Sequence, residues 1–441
     1  MKKIIVMGAG LVSRPLVKYL LSIDGFALTL GDIDQSRAAD IIGNAANGKA
    51  IALDVSDEQK VEELIKSHDI AISLLPYIFH PMVARYCIKH KKNMVTASYV
   101  SDKMREMDEA AKNAGVIILN EIGVDPGIDH MSAMKIIDAI HEQGGKVESF
   151  RSYCGGLPAP EADDNPFGYK FSWSPRGVLM AGLNDAKYLE NGKIVDVDGK
   201  ELFLNHWDLE VDDFAEFETY PNRNSLPYID IYGIQETKTM FRGTIRNKGW
   251  CDKLYALAKL GLLKDETIHL PENATYKDLM SKMVCSDDCD NLTLKTHEYL
   301  GKYSKPEVLE GLKWLGLFDD KKLPDTRNLL DIMTATFLEK MEYQPGERDM
   351  IVLFHDFIAK LPEGKKRITS TLIDYGIENG DTAMARTVGL PAAIGAELIL
   401  KGEIDLIGVQ IPVKKEIYLP VLKKLEDLNI KCVEKEHPVK S

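Results

Sequence analysis

Cysteine is scarce in this chain, with six in 441 residues, at positions 87, 154, 251, 285, 289 and 432. That density is too low for a disulfide-stapled fold. The nearest pair, Cys285 and Cys289 in "CSDDC", has no second pair at metal-ligand spacing. It reads as two free thiols beside a solvated turn, and no metal is expected. Positive charge is lacking too. A formal net charge of −13 excludes a general nucleic-acid or anionic-membrane binder, because phosphate contacts need a concentrated basic surface. It leaves room for an acidic small ligand held by a few arginines in a cleft. No uninterrupted apolar run approaches the roughly 18 residues of a membrane span. The start "MKKIIVMG" meets glycine too early for a secretory leader. A cytoplasmic protein is expected, with neither membrane nor nucleic-acid partners. Internal repeats, low-complexity tracts and a Ser/His/Asp elbow are also missing.

What is present is a strand–helix alternation. At about 150 residues per domain, the length suggests two to four domains. The runs "KKIIVMG", "FALTLGD", "AIALDV", "DIAISLLP", "NMVTAS" and "GVIILNEIG" look like buried parallel strands bounded by Gly, Asp, Asn or Pro. Between them lie helical spacings, such as Leu16, Val17, Leu20 and Leu21 on one face. The pattern predicts an α/β fold with a doubly wound parallel sheet. From about 126 the texture changes. "DHMSAMKIIDAIHEQGG" reads as a helix capped by Asp129, and "VESFRSYCGG" as a strand. An aromatic-rich loop, "LPAPEADDNPFGYKFSWSP", is long enough to suggest function. "FAEFETY", "YIDIYGI" and "TKTMFRGTIR" look β-like, and residues 251–342 are helix-rich.

Residues 8–15, "GAGLVSRP", sit directly after a strand and before a helix. That context turns a weak glycine pattern into a dinucleotide-binding turn. Gly8 suits the tight turn, Gly10 lets the backbone approach a pyrophosphate, and Ser13 is small enough to keep the helix near the strand. Asp32, ending the second strand, can accept hydrogen bonds from the adenosine ribose, which favours NAD over NADP. Asp54 and Val55 end the third strand, near where adenine would lie.

Ligands of such sheets bind beyond the carboxyl ends of the strands. Those ends carry Leu75, then Ser98-Tyr99-Val100, then "NEIGVDPGIDH". Asp125, extended before Pro126, can orient an amine or take a proton, or simply cap a turn. His130 reads as structural. Cys154 ends a strand before two glycines and is either cofactor-facing or a small buried residue.

"GAGLVSRP", "ISLLPYIFHPMVA", "VTASYVSDKM", "NEIGVDPGIDHMSAMKIID", "SYCGGLPAPEADDNPFGYKFSWSPRGVL", "YPNRNS", "FRGTIR" and "DTAMARTVGLPAAIGAELIL" together resemble the glutamate-forming saccharopine dehydrogenases, nearly end to end. The resemblance implies an NAD(P)-dependent oxidoreductase of lysine metabolism acting on a CH–NH bond. Such an enzyme interconverts saccharopine with glutamate and aminoadipate semialdehyde through an imine. It also implies a homodimer and three parts. These are a Rossmann domain (1–125, with a return at about 390–441), an α+β substrate and dimerisation domain (126–250 and 343–389), and a small all-helical insert (251–342). Carried over by position, the dinucleotide contacts are Gly10, Leu11, Val12, Ser13, Asp32, Asp54, Val55, Leu75, Val124, Asp125, Pro126 and Ser174. Saccharopine contacts are Ser98, Tyr99, Arg223, Thr244, Ile245 and Arg246. Asp125, Tyr99 and Cys154 match the polar residues around the reacting carbon. Arginine's planar fork suits a tricarboxylate ligand. One departure stands out: relatives generally carry an arginine for the NADP phosphate where this chain has Asp32. The resemblance thus favours NADP and the residue favours NAD. Two other readings keep the turn, namely a dehydrogenase of carboxylated polyamines or lysine, and a dinucleotide-binding protein without catalysis.

Overall fold

The apolar runs become strands. In the computed structural model of the chain, which describes residues 1–285 and 291–438, they are β1 (Lys2–Met7), β2 (Phe26–Asp32), β3 (Gly48–Ala52), β4 (Ile70–Ser73), β5 (Asn93–Val95) and β6 (Ile117–Leu119). A seventh strand, Gly408–Gln410, returns from the C-terminal region to pair with β6. Every pairing in this sheet is parallel, and the order is Gly408–Gln410, β6, β5, β4, β1, β2, β3. Ile4 to Met7 have no exposure at all, as expected of a central strand covered on both faces. After β3 the chain crosses to the other side of β1. The carboxyl end of β1 is therefore the topological switch point where such sheets bind ligands.

The chain divides into two compact units, Met1–Gly145 with Leu372–Val433, and Lys146–Thr371 with Glu434–Ser441. This differs from the three parts expected from sequence. The helix Ile128–Glu142, assigned to the substrate domain, and the long helix Ala383–Lys401, split at about 390 between that domain and the Rossmann return, lie in the nucleotide unit. Side-chain packing decides this. Tyr418 donates a hydrogen bond to Asp138 at 2.6 Å, and Lys415 pairs with Glu142. A Cβ on Gly389 would come within 2.6 Å of the Val12 carbonyl oxygen, so only glycine lets the long helix cross the start of helix Ser13–Leu21 so closely.

The second unit is built on a mixed sheet. Its strands are β7 (Lys146–Pro158), β8 (Ala186–Glu190), β9 (Lys193–Val197), β10 (Trp207–Val211), β11 (Ala215–Pro221), β12 (Thr239–Arg246), β13 (Asp349–Leu361) and β14 (Gly364–Tyr375), whose last residues belong to the first unit. The main path runs β10-β11-β12-β7-β13-β14 and ends on the strand Val433–Pro438, with the β8–β9 hairpin attached to β12. The helices Trp250–Lys259, Tyr276–Met283, Leu292–Leu300, Pro306–Trp314 and Leu329–Lys340 match the helix-rich stretch, but they stay within this unit rather than forming a third one. Cys289 lies outside the described residues.

Two local expectations are corrected. "YIDIYGI" contributes the helix Pro227–Ile231 rather than a strand. Pro227 is preset for a first helical turn, and the rings of Tyr228 and Tyr232, four apart, pack at a tilt with centroids 5.5 Å apart. The loop's aromatics, taken as a sign of function, are largely core. Phe167 packs on Trp250 at 6.2 Å and on Phe337 at 5.5 Å.

Candidate active site

In the first unit the glycine turn has the geometry a dinucleotide requires. Gly8 adopts φ +106° and donates its N–H to the Gly31 carbonyl at 2.8 Å. A Cβ there would lie 2.9 Å from the Leu74 carbonyl oxygen. At Gly10 a Cβ would meet nothing within 4 Å, so the backbone faces open space. Ser13 is buried, and its hydroxyl donates to the Gly10 carbonyl at 2.7 Å. The helix Ser13–Leu21 has no side-chain cap and no acidic residue in its first turn. Its leading N–H groups and positive dipole end therefore suit a phosphate. Leu11 is exposed, while Val12, Val55 and Leu75 are half-buried. Asp32 Oδ2 accepts the Ala9 N–H at 2.6 Å, and Oδ1 accepts the Asp34 N–H at 2.9 Å. The acidic end of β2 is thus tied to the glycine turn. Asp54 accepts the hydroxyl and N–H of Ser56, at 2.6 and 2.9 Å, and those bonds hold its carboxyl below the usual range.

Beyond β4, β5 and β6 a second set of groups converges. Tyr99 donates its hydroxyl to Asp125 Oδ1 at 3.1 Å, and both residues are half-buried. The Asp125–Pro126 bond is cis, and Val124 and Pro126 are buried. Gly127 follows at φ +148°, where a Cβ would sit 2.0 Å from the Gly123 carbonyl oxygen. The helix begins at Ile128 with Gly127 at its cap position, which corrects the assignment of Asp129 as N-cap. Asp129 lies inside the first turn and reaches back to accept the Gly127 N–H at 2.6 Å. His130 is buried with its Nε2 2.9 Å from Glu121 Oε2, the structural role expected of it.

Two residues escaped the sequence reading. Glu121 Oε1 accepts the Val100 N–H at 2.9 Å, and its own N–H donates to the Ser98 carbonyl at 3.0 Å. It thereby fixes both sides of Tyr99. His80 bridges Ser73 Oγ at 2.9 Å and Ser98 Oγ at 2.8 Å. Burial pushes His80 down to about 4, so it is neutral at physiological pH and positions Ser98 as a hydrogen-bonding group rather than a charge. The only hints were a histidine before a proline in "FHPMV" and a glutamate at a strand end in "NEIG".

In the second unit, register builds a row. Cys154 of β7 lies opposite Thr244 of β12, and Thr244 opposite Tyr220 of β11. Cys154 and Thr244 are half-buried, and burial pushes the Tyr220 hydroxyl up to about 12. A Cβ on Gly155 would lie 2.5 Å from the Ile245 carbonyl oxygen, so the glycine after Cys154 lets β7 and β12 approach. The Ile245 side chain is fully buried; of that residue, its backbone carbonyl accepts Arg246 Nη1 at 2.8 Å.

Arg246 is the distinctive group. It is 5% exposed, and its guanidinium lies 4.9 Å from the Tyr169 ring and 5.5 Å from that of Trp250. Its Nε has no hydrogen-bond partner. Among the described residues no carboxylate stands within ion-pair distance of it. A buried cation held by aromatic faces, with donors to spare, is suited to an incoming carboxylate. Arg223 differs: it is exposed at φ +54°, and its carbonyl accepts the Lys187 N–H at 2.9 Å. Ser174 is exposed and caps helix Pro175–Ala181, accepting the Gly177 N–H at 3.2 Å.

With this geometry in hand, known proteins place it. Residues 4–119 match the family model for the saccharopine dehydrogenase NADP binding domain, and residues 123–430 that for the saccharopine dehydrogenase C-terminal domain. The chain is 42% identical to saccharopine dehydrogenase [NADP(+), L-glutamate-forming] of Schizosaccharomyces pombe, over 98% of this chain and 99% of that protein. It is also 42% identical to the mitochondrial alpha-aminoadipic semialdehyde synthase of Bos taurus, covering 96% of this chain but 47% of the longer relative. Among solved structures, it resembles the apo saccharopine dehydrogenase (L-Glu forming) of Saccharomyces cerevisiae at TM-score 0.92 and 38% identity, covering 99% of this chain and 100% of that one. The NAD complex of homospermidine synthase from Legionella pneumophila matches at TM-score 0.58 but 9% identity, covering 99% of this chain and 91% of that one, a likeness of fold alone.

Proposed function

The chain belongs to the saccharopine dehydrogenase family, and from that membership we propose that it acts as the glutamate-forming enzyme with NAD as its preferred cofactor. It is an oxidoreductase of the CH–NH bond, interconverting saccharopine with glutamate and aminoadipate semialdehyde. The nicotinamide cofactor, when bound, accepts or supplies the hydride. In the first unit the N–H groups at the start of helix Ser13–Leu21 hold its pyrophosphate, with Gly10 as the point of close approach. In the second, Arg246 grips one carboxylate of saccharopine. Its buried guanidinium without an ion-pair partner is the observation that carries the reading, because the folded chain leaves that charge for a ligand to neutralise. Oxidation needs the secondary amine without its proton. The Asp125 carboxylate, steadied by Tyr99, is the group to hold that proton.

The cofactor preference rests on Asp32. A ribose 2′-phosphate beside a carboxylate already fixed by two backbone N–H groups meets repulsion, whereas ribose hydroxyls meet an acceptor. Steady-state kinetics with saccharopine and each cofactor, read by nicotinamide absorbance, tests both parts. Turnover of a carboxylated polyamine far faster than saccharopine overturns the substrate. A tenfold preference for NADP overturns the cofactor.

A further inference from the structure

Outside these residues, three donors of different chemistry converge in the second unit. His206, just before β10, places Nδ1 3.4 Å from Oε2 of Glu218 on β11. Cys251, in the first turn of helix Trp250–Lys259, completes a group whose ligand atoms all lie within 4.8 Å of one another. Glu218 and Cys251 are buried and His206 is half-buried. The backbone already orients the carboxylate, with Oε1 accepting the Cys251 N–H at 2.6 Å and Oε2 the Gly249 N–H at 2.9 Å. His206 Nδ1 is shielded from solvent and reaches only the Glu218 carboxylate, at 3.4 Å and short of well-formed hydrogen-bond geometry. Its separation from the carboxylate has a simple meaning. Nitrogen and oxygen ligands at their usual zinc distances, set at a tetrahedral angle, stand about 3.3 Å apart. A thiolate in such a site stands about 3.6 Å from each partner, inside the observed span.

We propose that His206, Glu218 and Cys251 bind a zinc-type divalent cation, with water completing the coordination. Imidazole and thiolate donors select zinc or a similar transition metal over magnesium or calcium. The two backbone N–H groups on Glu218 are the outer-shell bonds that orient a metal ligand. The charges match, since a thiolate and a carboxylate neutralise a dication. Metal uptake replaces the Cys251 Sγ–H bond with Sγ–metal and releases one proton. The bound ion pins β11 and the segment before β10 to the start of the helix that follows Arg246. Sequence spacing hid the site because its ligands come from three elements 12 and 33 residues apart.

The test uses the full-length protein, stripped with a chelator and titrated with Zn2+ against a chromophoric competitor. Co2+ serves as a spectroscopic probe of thiolate ligation. One equivalent of tightly held Zn2+, a near-ultraviolet thiolate–Co2+ band, and a loss of affinity of tenfold or more in both His206→Ala and Cys251→Ser support the proposal. Absence of stoichiometric uptake overturns it, as does unchanged affinity in both variants, which would assign the ion to other cysteines. Should Cys251→Ser fail to fold, His206→Ala decides alone, because His206 is only half-buried and Glu218 keeps both of its backbone N–H partners without it.

Discussion

The Tyr99 hydroxyl donates to Asp125 Oδ1 across 3.1 Å, joining the segment after the fifth strand to the turn after the sixth. Both residues stand on backbone held from elsewhere, by Glu121 on one side and by the glycines at 123 and 127 on the other. The pair is therefore preorganised before any ligand arrives, which is what proton transfer from a positioned group requires.

Asp125→Asn should lower kcat/KM for saccharopine by about a hundredfold, the low end for loss of an acid–base group. Tyr99→Phe should lower it by about tenfold, through a less constrained carboxylate. Circular dichroism melting should show both variants folded. Rates equal to the parent in both would remove the pair from the chemistry.

Asp32→Arg should move cofactor preference towards NADP by at least tenfold, about 1.4 kcal/mol, because a repulsive carboxylate becomes a phosphate partner. Asp32→Ala should also weaken NAD binding, since it removes the acceptor of the Ala9 N–H along with the ribose contact. Comparing kcat/KM for the two cofactors in each variant checks this, and an unchanged ratio in Asp32→Arg would count against the assignment.

Arg246→Met should separate binding from stability. A guanidinium buried without a carboxylate costs desolvation, and an apolar side chain of similar volume is often neutral or better in such a place. The melting temperature should hold or rise, while KM for saccharopine rises by about a hundredfold. A fall in stability with unchanged KM would make Arg246 a structural cation.

His80 gives the fold an acid sensitivity. Its native value is pushed down to about 4 by burial, against about 6.5 in an unfolded chain. Between those values the unfolded chain binds a proton that the native chain refuses, so stability falls as pH falls from 6.5 towards 4. The contribution from this one group reaches about 3 kcal/mol. His80→Gln cannot titrate and should flatten that part of the curve. Urea midpoints at pH 7.5, 6 and 4.5 measure it; parallel curves for parent and variant would sink the idea.

The local signals in the chain were strong where one physical cause dominated. Six apolar runs in alternation with helices specified the parallel sheet, because burial on both faces leaves few residue choices for a strand. Gly8 and Gly10 marked the tight turn after β1 for steric reasons that a sequence displays directly. "YIDIYGI" failed as a strand because a Tyr228–Tyr232 pair four apart, started by Pro227, looks apolar in both periods. The placement of helix Ile128–Glu142 was not legible either, since it packs against residues some 280 positions later.

By itself, then, the sequence determined the fold class and the glycine turn after the first strand, both of which depend on residue type and short spacing. Only the tertiary structure decided that Arg246 is buried between aromatic rings while Arg223 is exposed. It alone made His80 a neutral bridge and Glu121 the anchor of the Tyr99 segment, and it alone brought His206, Glu218 and Cys251 together. Desolvation and hydrogen bonding between distant segments set those properties, and neither exists until the chain has folded.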